Sequence, residues 1–319
     1  MKPSLDLDPN LLVYFEDDFR PLAQASVNLM THALHYGTGV FEGIRGYWSE
    51  ADRELYLFRA REHYHRWRAN ARLLKMDIPL SAGELCDLTA ELIRRNGFQC
   101  DLYVRPLAFK SRHGIGVHIG PECSMAIAAL PFGGYIDSSH GLRVGVSSWR
   151  RVDDNAIPAR GKICGAYVNS ALAGDEARCN GFDEAIFLTE RGHVCEGAAS
   201  NIFLVRQGRL ITPPVYDNIL EGITRATVID LATGLHLATE QRPVDRSELY
   251  VADEVFFAGT AFEIAPVVEV DRHPVGDGHI GRITRRLQDA YSALVRGRTA
   301  NGAPWLIPTY KTALAGMAH

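Results

Sequence analysis

A single lysine, Lys162, opens the stretch "KICGAYVNSALAG", and small, apolar and tyrosyl residues follow it on what reads as the start of a helix. Lysines ordinarily lie on solvated surfaces. An amine held among Ile163, Cys164, Gly165, Ala166 and Tyr167 is instead desolvated. Desolvation lowers its pKa and makes it a nucleophile toward carbonyls. That is the property a Schiff base with an aldehyde cofactor needs. The spacing alone leaves the surface lysine open as the alternative.

Pyridoxal phosphate is a cofactor such a lysine would hold, and it needs further parts. The first is an acid for the pyridine nitrogen, so that the protonated ring accepts electrons from a substrate α-carbon. "VCEGAASNIF" offers Glu196 inside an alternating apolar strand pair, where a lone acid is costly. A solvated turn acid is the other reading of that residue. The second part is a phosphate cup. "LEGITRATVIDLA" places Gly222, Ile223 and Thr224 where a helix begins, read as opening at Thr224. Free backbone N–H groups and the helix dipole favour an anion there. "AGTAFEI" gives a turn of small residues with the Thr260 hydroxyl, and Arg59, after the strand "LYLF", adds a fixed positive charge. "GTGVFEG" and "HGIGVHIG" look like phosphate loops but lie outside any strand-to-helix βαβ unit, so they read as turns.

The elements that must position these residues alternate between sheet and helix. "LLVYFEDDFRPLAQASV" reads as a hairpin with an acidic turn, and "ELYLF" as a strand. "REHYHRWRANARLLKM" is an amphipathic helix. "SAGELCDLTAELIRRNG" carries a Ser cap, a Glu three residues on and a Gly stop, a well-signalled helix. "DLYVRPLAFKS", "CSMAIAALPF" and "LRVGVSSW" are strands; "YVNSALAGDEARCNG" and "HIGRITRRLQDAYSALVRG" are helices. "EAIFLTERGHVCEG" and "SNIFLVRQGRLITPP" are hairpins, the second turning at Gln207-Gly208. The Gly- and Ser-rich "PFGGYIDSSHG" is the linker candidate. It divides the chain into a small domain over 1–132, a linker over 133–141 and a large domain over 142–319.

With 319 residues, 46% of them hydrophobic and 23% charged, the composition is that of an ordinary globular protein. A net charge of −4 with no basic block argues against a nucleic-acid partner. No apolar run reaches the length of a membrane span, and the N-terminus has no signal-peptide pattern. The six cysteines show no paired spacing, which points to reduced thiols in the cytoplasm. "HALH" (His32, His35) and "HYH" (His63, His65) have no ligand-type neighbours, so no metal is expected.

The ordered motifs "HALHYGTGVFEGIRGY", "YVRPL", "KICGAYVNSALA", "DEAIFLTERGHVCEGAASNIF", "LEGITR" and "ADEVFFAGTAFEIAPV" together resemble the class IV aminotransferases, the fold-type IV pyridoxal-phosphate enzymes. Within them the branched-chain amino acid aminotransferases are most similar, from about Val13 to about Val295. The resemblance implies an α+β fold with a small N-terminal α/β domain and a larger, β-barrel-like C-terminal domain. It implies that Lys162 forms the Schiff base and shuttles the proton between Cα and C4′, that Glu196 meets the pyridine nitrogen, and that Tyr167 faces O3′. Arg59, Gly222, Ile223, Thr224 and Thr260 match the phosphate cup, and Leu220 packs on the ring. Tyr36, Phe41, Tyr103, Arg105, Tyr135 and Ala261 match the substrate pocket. Aromatic walls suit an apolar side chain and the Arg105 fork suits a carboxylate; read alone, "LYVRPL" is an edge strand with an exposed Arg. The implied substrates are a branched-chain or other apolar L-amino acid and 2-oxoglutarate, and the implied assembly is a homodimer.

Four stretches depart from that pattern. "EGAASNIF" drifts toward D-amino-acid aminotransferases and aminodeoxychorismate lyases, which keeps those reactions, (R)-amine transamination and pathway-specific aminotransferases as alternatives on the same fold. "FKSRHGIGVHIGPE" is unusually basic; Lys110, Arg112 and His113 read as solvated, with an extra substrate acid as the other reading. Phe132 stands where Trp is common, and "TYKTALAGMAH" finds no parallel. A non-catalytic homologue is the reading from another class, and retention of Lys162, Glu196 and Arg59 argues against it.

Overall fold

The computed structural model describes residues 7–133, 139–299 and 304–311. The chain forms two compact units: Met1–Gly133 with Ile163–Gly165 and Gly302–His319, and Gly134–Lys162 with Ala166–Asn301.

In the first unit the order is β1 (Leu12–Phe15), β2 (Asp18–Pro21), α1 (His32–Tyr36), β3 (Gly39–Phe41), β4 (Ile44–Ser49), β5 (Glu54–Phe58), α2 (Ala60–Leu73), α3 (Ala82–Asn96), β6 (Leu102–Lys110) and β7 (Cys123–Pro131). In the second it is β8 (Leu142–Arg150), α4 (Tyr167–Cys179), β9 (Glu184–Leu188), β10 (Val194–Gly197), β11 (Asn201–Arg206), β12 (Arg209–Thr212), α5 (Ile223–Gly234), β13 (Thr239–Gln241), β14 (Glu254–Gly259), β15 (Glu263–Val270), β16 (His273–Pro274) and α6 (Arg282–Val295). A last strand, β17 (Leu306–Pro308), pairs with β5 and so belongs to the first unit. The sequence reading put this segment in the second domain; a pairing that spans most of the chain leaves no local signal.

The first sheet runs β17-β5-β4-β6-β7-β1-β2, with β3 also on β6. The acidic turn of the β1–β2 hairpin places Glu16 and Asp17 at φ 50° and 67°, the left-handed pair that a two-residue hairpin requires. The capping box of α3 forms as the sequence indicates: Glu84 N–H donates to Ser81 Oγ, and Ser81 N–H donates to the Glu84 carboxylate. Trp67 on α2 is fully buried and donates from Nε1 to Val40 O at 3.1 Å, fixing α2 against β3.

The second sheet runs β10-β9-β8-β15-β14-β11-β12-β13, and β10 also pairs with β11. That extra pairing closes six strands into a ring, the barrel-like body. It is made at one register position, Glu196 opposite Asn201. Alternate residues such as Val144, Ile186, Leu204, Val255, Phe257 and Val267 fill one face. The other face of β9, Ala185 and Phe187, packs on Ala173 and Ala177 of α4. Among the described residues no helix is long and apolar enough to cross a membrane.

Candidate functional site

The residues singled out from the sequence fall on both units. Lys162, Tyr167, Glu196, Leu220, Gly222, Ile223, Thr224, Thr260 and Ala261 lie in the second; Tyr36, Phe41, Arg59, Tyr103 and Arg105 lie in the first. Tyr135 and most of the linker lie outside the described residues.

A short 3-10 turn, Cys164–Ala166, separates Lys162 from α4, so the lysine precedes the helix rather than beginning it. Its amine is half-buried and donates to the Tyr167 hydroxyl at 2.6 Å. Tyr167, at the first position of α4, thus faces back toward the lysine.

Glu196 is not a solvated turn acid: it is 4% exposed on β10, at the pair that closes the ring. Its Oε1 meets Arg151 at 2.9 Å. Its Oε2 accepts from Asn201 Nδ2 at 3.0 Å and from Leu220 N–H at 3.1 Å. Burial pushes the Glu196 carboxyl above its ordinary range; Arg151, the Leu220 amide and the charge of Lys162 only partly offset it. Asn201 also donates to Leu220 O at 2.9 Å, so one amide holds both the acid and the segment leading into α5. Gly222 caps α5, which opens at Ile223, one residue earlier than read. A Cβ at Gly222 would lie 2.0 Å from Asn201 Oδ1, so only glycine lets this helix N-terminus come so close. No side chain caps it among the described residues, and Thr224 in its first turn is buried. The β14–β15 turn with Thr260 and Ala261 packs on the turn after Glu196: a Cβ at Gly259 would lie 3.2 Å from Ser200 Cβ. Ser200 Oγ is buried and has no hydrogen-bond partner among the described residues.

Arg151 and Asn201 were missed in the sequence. Asn201 had a signal, since it faces Glu196 across the short turn "EGAASN". Arg151 had none: its partner is 45 positions away. Its side chain is in fact 8% exposed.

In the first unit Phe41, Tyr103 and Arg105 come together. The Arg105 guanidinium lies 4.6 Å from the Phe41 ring centroid and 5.2 Å from that of Tyr103, and it donates to the Tyr103 hydroxyl at 3.3 Å. β6 is not an edge strand, since β4 and β7 flank it; the exposed Arg105 is nonetheless held by two aromatic faces. A Cβ at Gly43 would lie 1.9 Å from the Tyr103 hydroxyl oxygen, which explains the glycine after Glu42. Tyr36 accepts from Gly116 N–H at 2.9 Å, tying α1 to the loop before β7. Arg59 adopts φ 49°, uncommon for a side-chain-bearing residue, at the N-terminus of α2. Lys110 corrects the sequence reading. It is 1% exposed, and its ammonium donates to Lys75 O at 2.8 Å and Gly120 O at 2.7 Å. It fastens the loop rather than meeting solvent or a substrate acid. His63 is likewise internal, 2.8 Å from Glu42.

Residues 39–270 match the family model "Amino-transferase class IV". A probable branched-chain-amino-acid aminotransferase of Aquifex aeolicus is 48% identical over 299 residues, covering 93% of this chain and 96% of that protein. The branched-chain aminotransferase of Thermoproteus uzoniensis, solved with norvaline, superposes with TM-score 0.90 at 43% identity, covering 94% of this chain and 99% of that one. The branched-chain amino acid aminotransferase of Thermobaculum terrenum, solved in its PLP-form, gives TM-score 0.90 at 39% identity, covering 95% of this chain and 99% of that one. With the ordered motifs, the ring closed at Glu196 and these relatives in agreement, the chain belongs to the class IV aminotransferases.

Proposed function

We propose that this chain transfers the amino group of a branched-chain or other apolar L-amino acid to 2-oxoglutarate, using pyridoxal phosphate held by Lys162. The observation that carries the reading is the linked set in the second unit: Lys162 on Tyr167 at 2.6 Å, and a buried Glu196 against Arg151 at 2.9 Å.

The residues fit the cofactor. Glu196 is buried with its charge only partly balanced, which suits it to meet a protonated ring nitrogen. Within the second unit the N-terminus of α5, with no side-chain cap among the described residues, the Thr260 turn and the buried Ser200 hydroxyl offer donors for a phosphate; the motif resemblance assigns Arg59 as its cation. Bound there, pyridoxal phosphate acts as an electron sink for negative charge developing at the substrate Cα. The chain's own residues do the rest. The Lys162 amine would hold the cofactor's aldehyde carbon and would serve as the base that takes and returns the substrate Cα proton. The Tyr167 hydroxyl orients that amine. Glu196, held by Arg151 and Asn201, keeps the positive charge on the ring side. Phe41 and Tyr103 present apolar surface to the substrate side chain, and the Arg105 fork takes the second carboxylate of 2-oxoglutarate.

The reading extends to a homodimer. Val27, Leu29, Leu34, Ile115 and Val117 are 48%, 73%, 59%, 81% and 75% exposed. Met30 O accepts from Gly114 N–H, and Thr31 bridges His113, which brings the two loops and their exposed apolar side chains together. The six free cysteines suit a reducing compartment such as the cytoplasm.

The test mixes purified, cofactor-loaded protein with single amino acids in the absence of any keto acid and follows the visible cofactor band. Rapid loss with L-Leu, L-Ile, L-Val and L-Glu, and no loss in a Lys162→Ala variant, is expected. Loss only with D-amino acids or amines, or pyruvate release from aminodeoxychorismate, would retain the family and overturn the substrate.

A further inference from the structure

Residues 304–311, whose last three open the unmatched stretch "TYKTALAGMAH", return to the first unit beside Arg59. β17 pairs with β5, and the last residue of β5 is followed directly by Arg59. The segment is fixed by a buried carboxylate. Glu54 is 0% exposed and accepts three consecutive backbone N–H groups, from Thr309 at 2.9 Å, Tyr310 at 2.8 Å and Lys311 at 2.8 Å. It also accepts from the Thr309 hydroxyl at 3.3 Å and the Leu55 N–H at 2.8 Å. A carboxylate at full burial is costly unless its lone pairs are filled. Here the segment itself fills them, so an undocked segment would leave Glu54 short of donors. Arg94 donates to Thr309 O, and the Tyr310 hydroxyl donates to Phe98 O, which fastens the segment to α3 and its end.

The docked segment lays Trp305 against Arg59. The guanidinium carbon lies 4.4 Å from the Trp305 ring centroid, the geometry of a cation–π contact. Arg59 N–H donates to Trp305 O at 2.7 Å, which supports the left-handed backbone at Arg59. Arg59 Nε donates to Glu62 at 3.0 Å, and the arginine side chain is 12% exposed. One residue of the segment therefore holds both the backbone and the planar head of this arginine. A guanidinium binds phosphate best when its plane is already set, because less rotamer freedom is then lost on binding.

We propose that Trp305, carried on the strap 304–311 and locked by Glu54, is a positioning residue that presets Arg59 for the cofactor phosphate. The inference rests on the assignment of Arg59 to that phosphate.

The experiment removes the cofactor from the full chain and titrates back pyridoxal phosphate or pyridoxal, which lacks the phosphate, following visible absorbance. Arg59→Gln tests the assignment: it is expected to weaken pyridoxal phosphate and leave pyridoxal unchanged. Trp305→Leu is expected to weaken pyridoxal phosphate roughly tenfold and pyridoxal less than about twofold, and to add nothing in the Arg59→Gln background. Trp305→Phe keeps the aromatic bulk and the fold but has the weaker face, so a loss of about threefold is expected. If Arg59→Gln leaves the preference for the phosphorylated cofactor intact, the assignment falls and the inference with it. If Arg59→Gln abolishes that preference while Trp305→Leu, with unchanged thermal unfolding, keeps it or weakens both cofactors equally, only the inference falls. Should Trp305→Leu fail to fold, Trp305→Phe decides, and an unchanged preference there overturns the proposal.

Discussion

Two acids, one in each unit, are buried beside an arginine, and their pKa values are displaced in opposite directions. Glu42, in the first unit, is 0% exposed. Arg66 grips both its oxygens, at 2.7 and 2.8 Å, and His63 Nδ1 lies at 2.8 Å. Burial alone would push Glu42 up, but Arg66 and His63 together hold it well below the usual carboxylate range. Glu196, in the second unit, meets one arginine nitrogen at 2.9 Å and two neutral donors, and burial wins. The first acid is balanced within its own unit and serves to fasten α2 to the β3–β4 turn. The second retains capacity for one more positive donor. Burial of charge is common to both; the completeness of its compensation separates an acid that holds the fold from one suited to chemistry.

Substitution should pull the two roles apart. Glu42→Gln removes the buried carboxylate that Arg66 and His63 both address, and a stability loss of about 4 kcal/mol is expected by denaturant unfolding. Turnover per folded molecule should hardly change; a catalytic loss in protein that unfolds normally would place Glu42 in the chemistry instead. The reverse is expected of Glu196→Gln. On its proposed role as the ring's counter-ion, its loss should reduce kcat about 10²–10³-fold, while the unfolding midpoint moves little, since the native charge is already costly there. Equal stability losses in the two variants would erase the distinction.

The sequence made one half of this contrast legible. Glu196 stood out because a strand pair of apolar residues surrounds it, and Lys162 because small residues follow it. The helix caps and hairpin turns were readable for the same reason: each is decided within a few residues. What stayed hidden depends on partners far along the chain. Arg151 reaches Glu196 across 45 positions, Glu54 takes the N–H groups of residues 309–311, and Lys110 turns inward to the Lys75 carbonyl. A charged residue in a polar-looking stretch reads as solvated, and only the packed fold shows that backbone groups have replaced the water.

A third acid extends the series to a case with no contacting cation among the described residues. Glu184, 8% exposed on β9, is held by the backbone N–H groups of Ala185 and Ala198, and burial pushes it up to about 7. In the unfolded chain it titrates near 4.5. Between those values the unfolded state loses its proton first, so the contribution of Glu184 to stability is greatest below pH 4.5 and falls as pH rises toward 7. The shift amounts to about 3 kcal/mol across that window. Glu184→Gln should remove this part of the pH slope, read from chemical unfolding at pH 5 and pH 7.5; an unchanged slope would mean that Glu184 is ionised in the fold.

The mildest change asks whether Arg151 sets the charge of Glu196 or merely fills space. Arg151 is 7% exposed, and besides meeting Glu196 it donates from Nε to Asn218 O at 3.4 Å. Lysine at this position would keep the charge but lose the fork, so it could not serve both partners with the same geometry. A weaker cation at Glu196 raises its pKa further, and the proposed role of Glu196 needs the ionised form. The acid limb of kcat/KM for Arg151→Lys should therefore move to higher pH, by about one unit. The direction follows from the sign of the interaction alone, and simple loosening of the core would lower activity at every pH without moving the limb. An acid limb that stays in place in Arg151→Lys, at whatever rate, would break the link between the arginine and the acid and leave Asn201 and the Leu220 amide as the groups that hold Glu196 ready.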